Sequence, residues 1–453
     1  MSECSPAREV VIVLQEALEH LSFRFEYDAE DDEHRELCAS LIQIMDLYAA
    51  VIPRLKLRRK TPTETIDPLL LQITRVVSLA SANSGRDDGR KIILATVELA
   101  NSSLRWAQSL DIDPAAISSA KQSVARALED VLSSCSASIQ SALSQRTFNA
   151  LFPRLARMSG PLPPGWEDGA AVVDSALASF RASEGLPSLS RPSIGALVLS
   201  SHSKDTPSPT ALSSAMPALI TSLQTNVALD ESLALLLRIL TLPNLTLGPD
   251  QLFPLSTLLP TVASLHPDPS TRHISFRILS LLLRAAPSHL RLDILRELTT
   301  DESLPQMMVA AISLVKEAFL DGLDTGSPSV FGSKAALQEL GAAVLQTHPP
   351  DALANTDKAK FLDSVEPRRL TEVLSLLYVL LRRDAENRTG IRDRDTIRAM
   401  ETNILAPLRA RLADWMEPDA GEEGGHEHDM MSLVALSISL ERVDSTLAEL
   451  QAA

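Results

Sequence analysis

Apolar residues recur at helical spacing along most of this chain, and this periodicity limits the folds that the chain can adopt. In the segment 370–381, leucine and valine follow the spacing i, i+3, i+4, i+7 and i+11. Such spacing places the apolar side chains on one face of a helix. Similar stripes begin at Ile274, Met307 and Ile397. No comparable run alternates strictly between apolar and polar residues, so the sequence predicts helices without strands.

The composition agrees with a helical fold. Hydrophobic residues make up 45% of the 453 residues, whereas aromatic residues make up only 4%. A chain rich in leucine and alanine and poor in glycine favours helices. Many helices without strands are typical of helical pairs stacked in two layers. We therefore predict an all-α fold, an irregular HEAT/armadillo-like helical-repeat solenoid, with a compact helical bundle as the alternative.

Three Asp-Pro pairs precede apolar-periodic segments and predict helix starts. They are Asp67-Pro68, Asp113-Pro114 and Asp268-Pro269. An aspartate at the N-cap accepts hydrogen bonds from free backbone N–H groups. A proline in the first helical position has no N–H group and has a suitable φ angle. We expect a helix to begin at each pair.

Two segments have the composition of linkers. Residues 159–169 (SGPLPPGWEDG) and 200–209 (SSHSKDTPSP) are rich in proline, glycine or serine. Both compositions favour turns and loops. We predict N-terminal helical repeats over 1–158, a linker region with a possible helix over 159–210, and C-terminal HEAT-like repeats over 211–453.

Charge and cysteine content limit the partners and the compartment. The formal net charge of −16 disfavours nucleic acid and anionic membranes. The basic cluster at 54–60 is interpreted as a solvated helix end. Three scattered cysteines without CxxC spacing indicate a reducing compartment. The N-terminus lacks a basic start followed by an apolar core. We expect cytoplasmic and/or nuclear localisation, and we expect the sequons at Asn101, Asn244 and Asn387 to carry no glycan.

Catalytic motifs are absent from the sequence. There is no GxSxG, HExxH, CxxC or GxGxxG motif. Residues 326–334 (GSPSVFGSK) lack the spacing of a phosphate-binding loop. We expect a non-enzymatic protein without cofactor or bound metal. A remote alternative is a metal-dependent helical hydrolase that uses the stretch His426–Asp429 (HEHD), where histidines alternate with carboxylates.

Three blocks in the C-terminal third occur in a recognisable order. The first is the apolar run 374–381 (LSLLYVLL), which is followed by Arg-Arg-Asp and the turn 386–391 (ENRTGI). The second is 401–408 (ETNILAPL), and the third is the last helix, 433–450. Together they resemble the glomulin family, which includes plant and fungal relatives and the yeast Yap-binding proteins. The resemblance is clearest over 365–450.

The resemblance implies a function. Glomulin is a HEAT-like protein that binds the RING subunit of cullin-RING ubiquitin ligases through its C-terminal region and blocks access of the ubiquitin-conjugating enzyme. The yeast relatives are linked instead to an oxidative-stress transcription factor and to kinetochores. An adaptor for such a factor or for a kinetochore complex is therefore the alternative partner class.

The polar turn after residue 381 is the candidate partner-binding site. A competitor for a RING surface needs a rigid helix end with an apolar patch and a polar rim. The predicted partner-binding residues are Arg382, Arg383, Asp384, Asn387, Arg388, Thr389, Ile391 and Arg392. The same turn is also open to a structural role, because Asn387 and Gly390 suit left-handed or turn positions. Arg409 and Arg411 are expected to contact helix-end carbonyls or acidic neighbours.

Overall fold

The computed structural model describes residues 6–27, 31–57, 60–155, 160–184, 192–208, 210–324, 329–350, 352–416 and 427–452. Across these residues every regular element is a helix, and no strand occurs. The predicted all-α, helical-repeat fold class is confirmed. The chain divides into two compact units, Met1–Leu245 with Asp268–Ile278, and Thr246–Pro267 with Leu279–Ala453.

The first unit is built from helices that pack side by side. α2 packs against α4 and α3 packs against α5, so helices two apart in the sequence lie on each other. Its helices are α1 (Ala7–Tyr27), α2 (Asp31–Val51), α3 (Pro62–Ser81), α4 (Arg86–Ser109), α5 (Pro114–Ser134), α6 (Ser136–Ile139), α7 (Leu143–Leu151), α8 (Trp166–Glu184), α9 (Ile194–His202), α10 (Ala211–Thr225) and α11 (Leu229–Leu240).

Two of the three predicted helix starts are confirmed. Asp113 is the N-cap of α5, and its carboxylate accepts a hydrogen bond from the N–H group of Ala115 at 3.1 Å. The carboxylate of Asp268 accepts from the N–H group of Thr271 at 2.7 Å. It does so where α13 (Pro269–Arg284) begins, in a helix with residues in both units.

The predicted helix start at Asp67-Pro68 is wrong. α3 begins earlier, at Pro62, where Thr61 and Glu64 form a capping box. In that arrangement the hydroxyl of Thr61 accepts from the N–H group of Glu64, and the carboxylate of Glu64 accepts from the N–H group of Thr61. Pro68 therefore lies inside α3.

Part of the segment 159–210 is helical. α8 and α9 both lie in it, and both pack against α5 of the first unit. Val173, Phe180 and Leu197 are at most 2% exposed. This segment is therefore built into the first unit, while the domain division proposed at 159–210 stays a prediction.

One helical stretch, Glu33–Arg54, is long and apolar enough to cross a membrane by length and composition alone. Most of it is α2, whose residues Leu37, Leu41 and Met45 are at most 1% exposed in the core of the first unit. A buried core helix passes the same test, so the stretch is weak evidence for a membrane span. No second such stretch occurs in the described part of the chain.

The second unit is centred on α20, which packs against α15 and α23. Its helices are α12 (Pro249–Leu265), α14 (Ser288–Thr300), α15 (Pro305–Asp324), α16 (Lys334–Glu339), α17 (Gly341–Val344), α18 (Ala352–Asn355), α19 (Lys358–Asp363), α20 (Glu366–Arg383), α21 (Arg394–Met400), α22 (Ala406–Met416) and α23 (Glu427–Ala452). A π-helical turn, Glu401–Leu405, joins α21 to α22.

Candidate protein-binding site

The helix that leads into the candidate site is α20. Leucine and valine at positions 370, 373, 374, 377 and 381 are all 0% exposed. The predicted apolar stripe is therefore the core-facing side of this helix. The N–H group of Asp384 donates to the carbonyl of Leu380, and the helix ends there. Because the apolar face of α20 is fully buried, packing in the core holds the end of this helix in place, and the turn begins there.

Asp384 organises the turn from inside. Its side chain is buried, and its carboxylate accepts from the N–H groups of Arg388 at 2.8 Å and Thr389 at 2.7 Å. The hydroxyl of Thr389 donates to it at 2.6 Å. Three donors replace the water that a buried carboxylate loses. Asp384 therefore acts as the internal acceptor around which residues 384–389 close.

Asn387 and Gly390 supply the left-handed backbone conformations that the turn requires. Their φ angles are +55° and +76°, which confirms the prediction that both suit such positions. The side chain of Asn387 accepts from the N–H group of Arg392 at 2.8 Å and donates to Asp393 at 2.8 Å. Hydrogen bonds from Lys334 and Asn387 lower the pKa of Asp393. The turn is thus closed at both ends by side-chain hydrogen bonds.

Two arginines of the turn contact the ends of neighbouring helices. The guanidinium of Arg388 donates to the carbonyls of Leu323 at 3.2 Å and Gly322 at 3.3 Å, in the last turn of α15. The guanidinium of Arg392 donates to the carbonyl of Leu381 at 2.6 Å, in the last turn of α20. Cations at these positions satisfy carbonyls that have no partner within the helix and complement the helix dipole.

Arg382 and Arg383 are the exposed cations of the site. The side chains are 46% and 58% exposed. Arg382 pairs with Glu449 of α23 at 2.8 Å, and Arg383 pairs with Asp324 of α15 at 3.0 Å. Hydrogen bonding to Glu449 raises the pKa of Arg382. Exposed ion pairs contribute little to stability, so a partner can replace these contacts at small cost.

The turn brings all eight predicted residues together, and their exposure divides them into groups. Asp384, Thr389 and Ile391 are at most 1% exposed. Asn387, Arg388 and Arg392 are partly exposed and bonded within the protein, whereas Arg382 and Arg383 face solvent. The buried members hold the shape of the turn. The partner-binding role of the set stays a prediction, and its accessible part is the pair of cations.

One anchor of the turn has no signal in the sequence. Lys334, at the first position of α16, pairs with Asp393 at 2.6 Å across 59 residues of chain. Nothing in the local pattern around either residue predicts this contact. Lys334 is the last residue of the stretch 326–334, which lacks the spacing of a phosphate-binding loop. Its side chain is engaged in this ion pair. In the described part of the stretch, Val330–Gly332 forms a 3-10 turn and α16 begins at Lys334.

The two other predicted arginine contacts are confirmed. Arg409 pairs with acidic neighbours, Glu401 at 2.6 Å and Asp444 at 2.7 Å. Arg411 donates to the carbonyl of Leu353 in α18. The side chains of the HEHD stretch lie outside the described residues. Within the described residues, no group of three or more His, Cys, Asp or Glu side chains is placed to hold a metal ion.

Comparison with known proteins identifies the family. No individual curated protein matches the chain. The family model described as the uncharacterised protein family YAP/Alf4/glomulin matches residues 211–441, just over half of the chain, and this span includes the whole turn. The match supports protein binding with a regulatory role as the general function. The chain belongs to the YAP/Alf4/glomulin family.

Proposed function

We propose that this protein binds the RING subunit of cullin-RING ubiquitin ligases and blocks access of the ubiquitin-conjugating enzyme. The observation that carries the proposal is the family match over 211–441, which includes the turn after α20. The proposed activity is non-enzymatic, needs no cofactor, and takes place in the cytoplasm or nucleus. Competition for a protein surface requires only a complementary surface of sufficient affinity.

The construction of the turn supports this role. A binding surface is more effective when it is rigid before binding, because less conformational entropy is lost on association. Asp384, Asn387 and Arg388 hold the turn through hydrogen bonds to neighbouring backbone and side-chain groups. Arg382 and Arg383 extend from this rigid base with exposed guanidinium groups. Arginine is enriched at the energetically important positions of protein interfaces.

The test uses the full chain and a purified RING subunit bound to its cullin fragment. Calorimetry is expected to show a one-to-one complex. In a ubiquitin-transfer assay, the chain is expected to inhibit, and excess conjugating enzyme is expected to restore the rate because both compete for one surface. Absence of binding at micromolar concentrations contradicts the proposal. Inhibition that excess conjugating enzyme does not relieve contradicts the proposed competition.

The YAP part of the family description favours the second candidate function. In this second function, the chain acts as an adaptor for a stress-responsive transcription factor or a kinetochore complex. Affinity purification followed by mass spectrometry separates the two candidates, because one predicts ligase subunits and the other predicts the factor or kinetochore proteins. Direct binding of the purified chain to the recovered component then decides between them.

A further inference from the structure

A groove of about 570 Å³ lies in the second unit, beside the turn. One wall comes from α21 and the π-helical turn, and the other comes from the C-terminal part of α23. Ile397, Leu447 and Ala448 supply apolar surface, and Arg394 and Arg398 also line the groove. An apolar centre with charged residues beside it is the arrangement found in protein interfaces. The volume suits a few side chains of a bound segment.

Both carboxylates in the groove are hydrogen-bonded to the same arginine. Arg409 lies between them, with Nη1 at 2.6 Å from Glu401 and Nη2 at 2.7 Å from Asp444. Its Nε also donates to Asp444 at 2.9 Å. Hydrogen bonds to Asp444 and Glu401 raise the pKa of Arg409. Arg409 offsets one of the two negative charges. Arg394 and Arg398 outweigh the other, so the carboxylates do not make the groove attractive to a basic ligand.

Arg394 and Arg398 are the unpaired charges of the groove. Both are exposed, and neither forms an ion pair with any residue that the structure describes. They are four residues apart in α21, so they lie on the same side of the helix. With Arg409, the groove carries three guanidinium groups against two carboxylates. This local excess of positive charge occurs in a chain of net charge −16.

The π-helical turn shapes the same wall of the groove. The N–H group of Ala406 donates to the carbonyl of Glu401, five residues earlier, as a π-helix requires. Pro407 accounts for this departure, because it has no N–H group for the carbonyl of Asn403 and its ring crowds that carbonyl. Single π-turns within helices are frequent at functional sites. Glu401 and Thr402, the first residues of this turn, line the groove.

We propose that this groove binds an acidic segment of a partner protein. An apolar side chain of the segment enters between Ile397 and Leu447, and flanking carboxylates pair with Arg394 and Arg398. Charge complementarity identifies this occupant, since the unpaired charges of the groove are positive and its anions are satisfied. A second copy of the chain fits less well, because two copies of net charge −16 repel each other. The proposal goes beyond the RING-binding function and does not depend on it.

The test is selection of peptides on the full chain. A display library of random 12-residue peptides is selected for binding to the wild type, with depletion on the Arg394→Glu/Arg398→Glu variant. Recovered peptides are synthesised with a fluorescent label, and Kd is measured by anisotropy. We expect Asp and Glu to be enriched around an apolar residue. We expect the charge-reversed variant to lose affinity by about tenfold or more.

Two further variants make the result specific to the groove. Ala448→Trp fills the groove without a change of charge and is expected to weaken binding by a similar factor. Arg368→Glu/Arg442→Glu makes the same charge change at exposed positions outside the groove, and we expect a loss below about threefold. Circular dichroism checks that each variant is folded.

The opposite results overturn the proposal. The proposal is contradicted if the selected peptides are not enriched in Asp and Glu. It is also contradicted if these peptides bind the wild type and the Arg394→Glu/Arg398→Glu variant with equal affinity. An equal loss in the Arg368→Glu/Arg442→Glu control assigns binding to the general field of the protein rather than to the groove. Sedimentation that shows a wild-type dimer, dissociated by Arg394→Glu/Arg398→Glu, assigns the groove to a second copy of the chain.

Discussion

Thr389 donates two hydrogen bonds to the buried carboxylate of Asp384, one from its backbone N–H group at 2.7 Å and one from its hydroxyl at 2.6 Å. Both residues are 1% exposed. The contact joins the end of α20 to the turn that carries the exposed arginines. The geometry of the candidate site therefore depends on a contact that no partner can reach.

Removal of this acceptor is expected to destabilise the second unit. Asp384→Ala leaves three donors in the interior without an acceptor, and we expect a loss of about 3 kcal/mol in the free energy of unfolding. Urea denaturation measures it. The matched control is Asp363→Ala, at an exposed aspartate of the same unit, which is expected to change stability by less than about 0.5 kcal/mol. Equal effects of the two substitutions contradict the assigned role of Asp384.

A charge swap separates the two roles of Arg382. Arg382→Glu breaks its ion pair with Glu449, and adding Glu449→Arg restores a pair of opposite charges at the same place. If Arg382 contacts the partner, the swapped protein stays defective in RING binding although its thermal midpoint returns to the wild-type value. Recovery of binding by the swap shows that the ion pair, rather than a contact with the partner, matters. Calorimetry and thermal denaturation on the same samples give both quantities.

The sequence predicts individual helices better than the contacts between them. The stripe over 370–381 and the backbone of Asn387 are confirmed because each depends on local residue preferences. The start at Asp67-Pro68 is wrong because Thr61 and Glu64 form a capping box a few residues earlier. The confirmed and the wrong predictions all rest on residues close together in the sequence, whose preferences can be read from the local pattern.

The sequence indicates where the candidate site lies, but it does not indicate which residues of the site are buried and which are exposed. Lys334 and Asp393 are 59 residues apart, and Arg382 and Glu449 are 67 apart. Such pairs form only after distant helices pack, so no local pattern indicates them. The side chain of Arg388 donates to a backbone carbonyl of α15, whereas Arg383 pairs with an exposed carboxylate of the same helix. Both contacts depend on where α15 ends. The local sequence therefore does not separate the buried residues of the site from the exposed ones.

Disruption of another buried interaction within the second unit is expected to cost more stability, because it leaves a buried charge without its partner. Arg369 is 1% exposed and donates to Glu366 at 2.6 and 2.8 Å and to the carbonyls of Ala343 and Gln346. Arg369→Met leaves the Glu366 carboxylate buried with one partner removed, and we expect a loss of about 3–5 kcal/mol in urea denaturation. Arg296→Met breaks the exposed pair with Glu339 and is expected to cost less than about 1 kcal/mol. A small loss for both contradicts the assigned importance of the buried pair.

A glycine in the first unit permits close approach of two helices. A Cβ atom at Gly169, in α8, would lie 1.9 Å from the carbonyl oxygen of Ile139. Gly→Ala inside a helix usually stabilises by about 0.5–1 kcal/mol, but here we expect Gly169→Ala to destabilise by about 1–3 kcal/mol because backbone must move. Gly341→Ala, where only Leu345 lies near at 3.8 Å, is expected to be neutral or stabilising. Denaturation curves compare the two, and stabilisation by Gly169→Ala contradicts the close approach.

Two buried cysteines of the first unit predict a pH dependence. Burial raises the pKa of Cys38 from 9.0 to about 11, with a smaller effect of Asp88, and raises the pKa of Cys135 from 9.0 to about 12. In a Cys4→Ser background, both thiols are therefore expected to react with a disulfide reagent at pH 8 only after denaturation, because thiolate is the reactive form.

The raised pKa values of the two thiols determine the direction in which the free energy of unfolding changes with pH. Below pH 9 the thiols are protonated in both states, so their contribution to stability is complete. Above pH 9 the unfolded thiols ionise first, which favours unfolding, and the contribution is lost as the pH rises towards 11–12. The wild type is expected to lose stability more steeply between pH 9 and 11 than Cys38→Ala/Cys135→Ala does. Parallel curves, or rapid labelling of the folded protein, contradict the burial of these thiols.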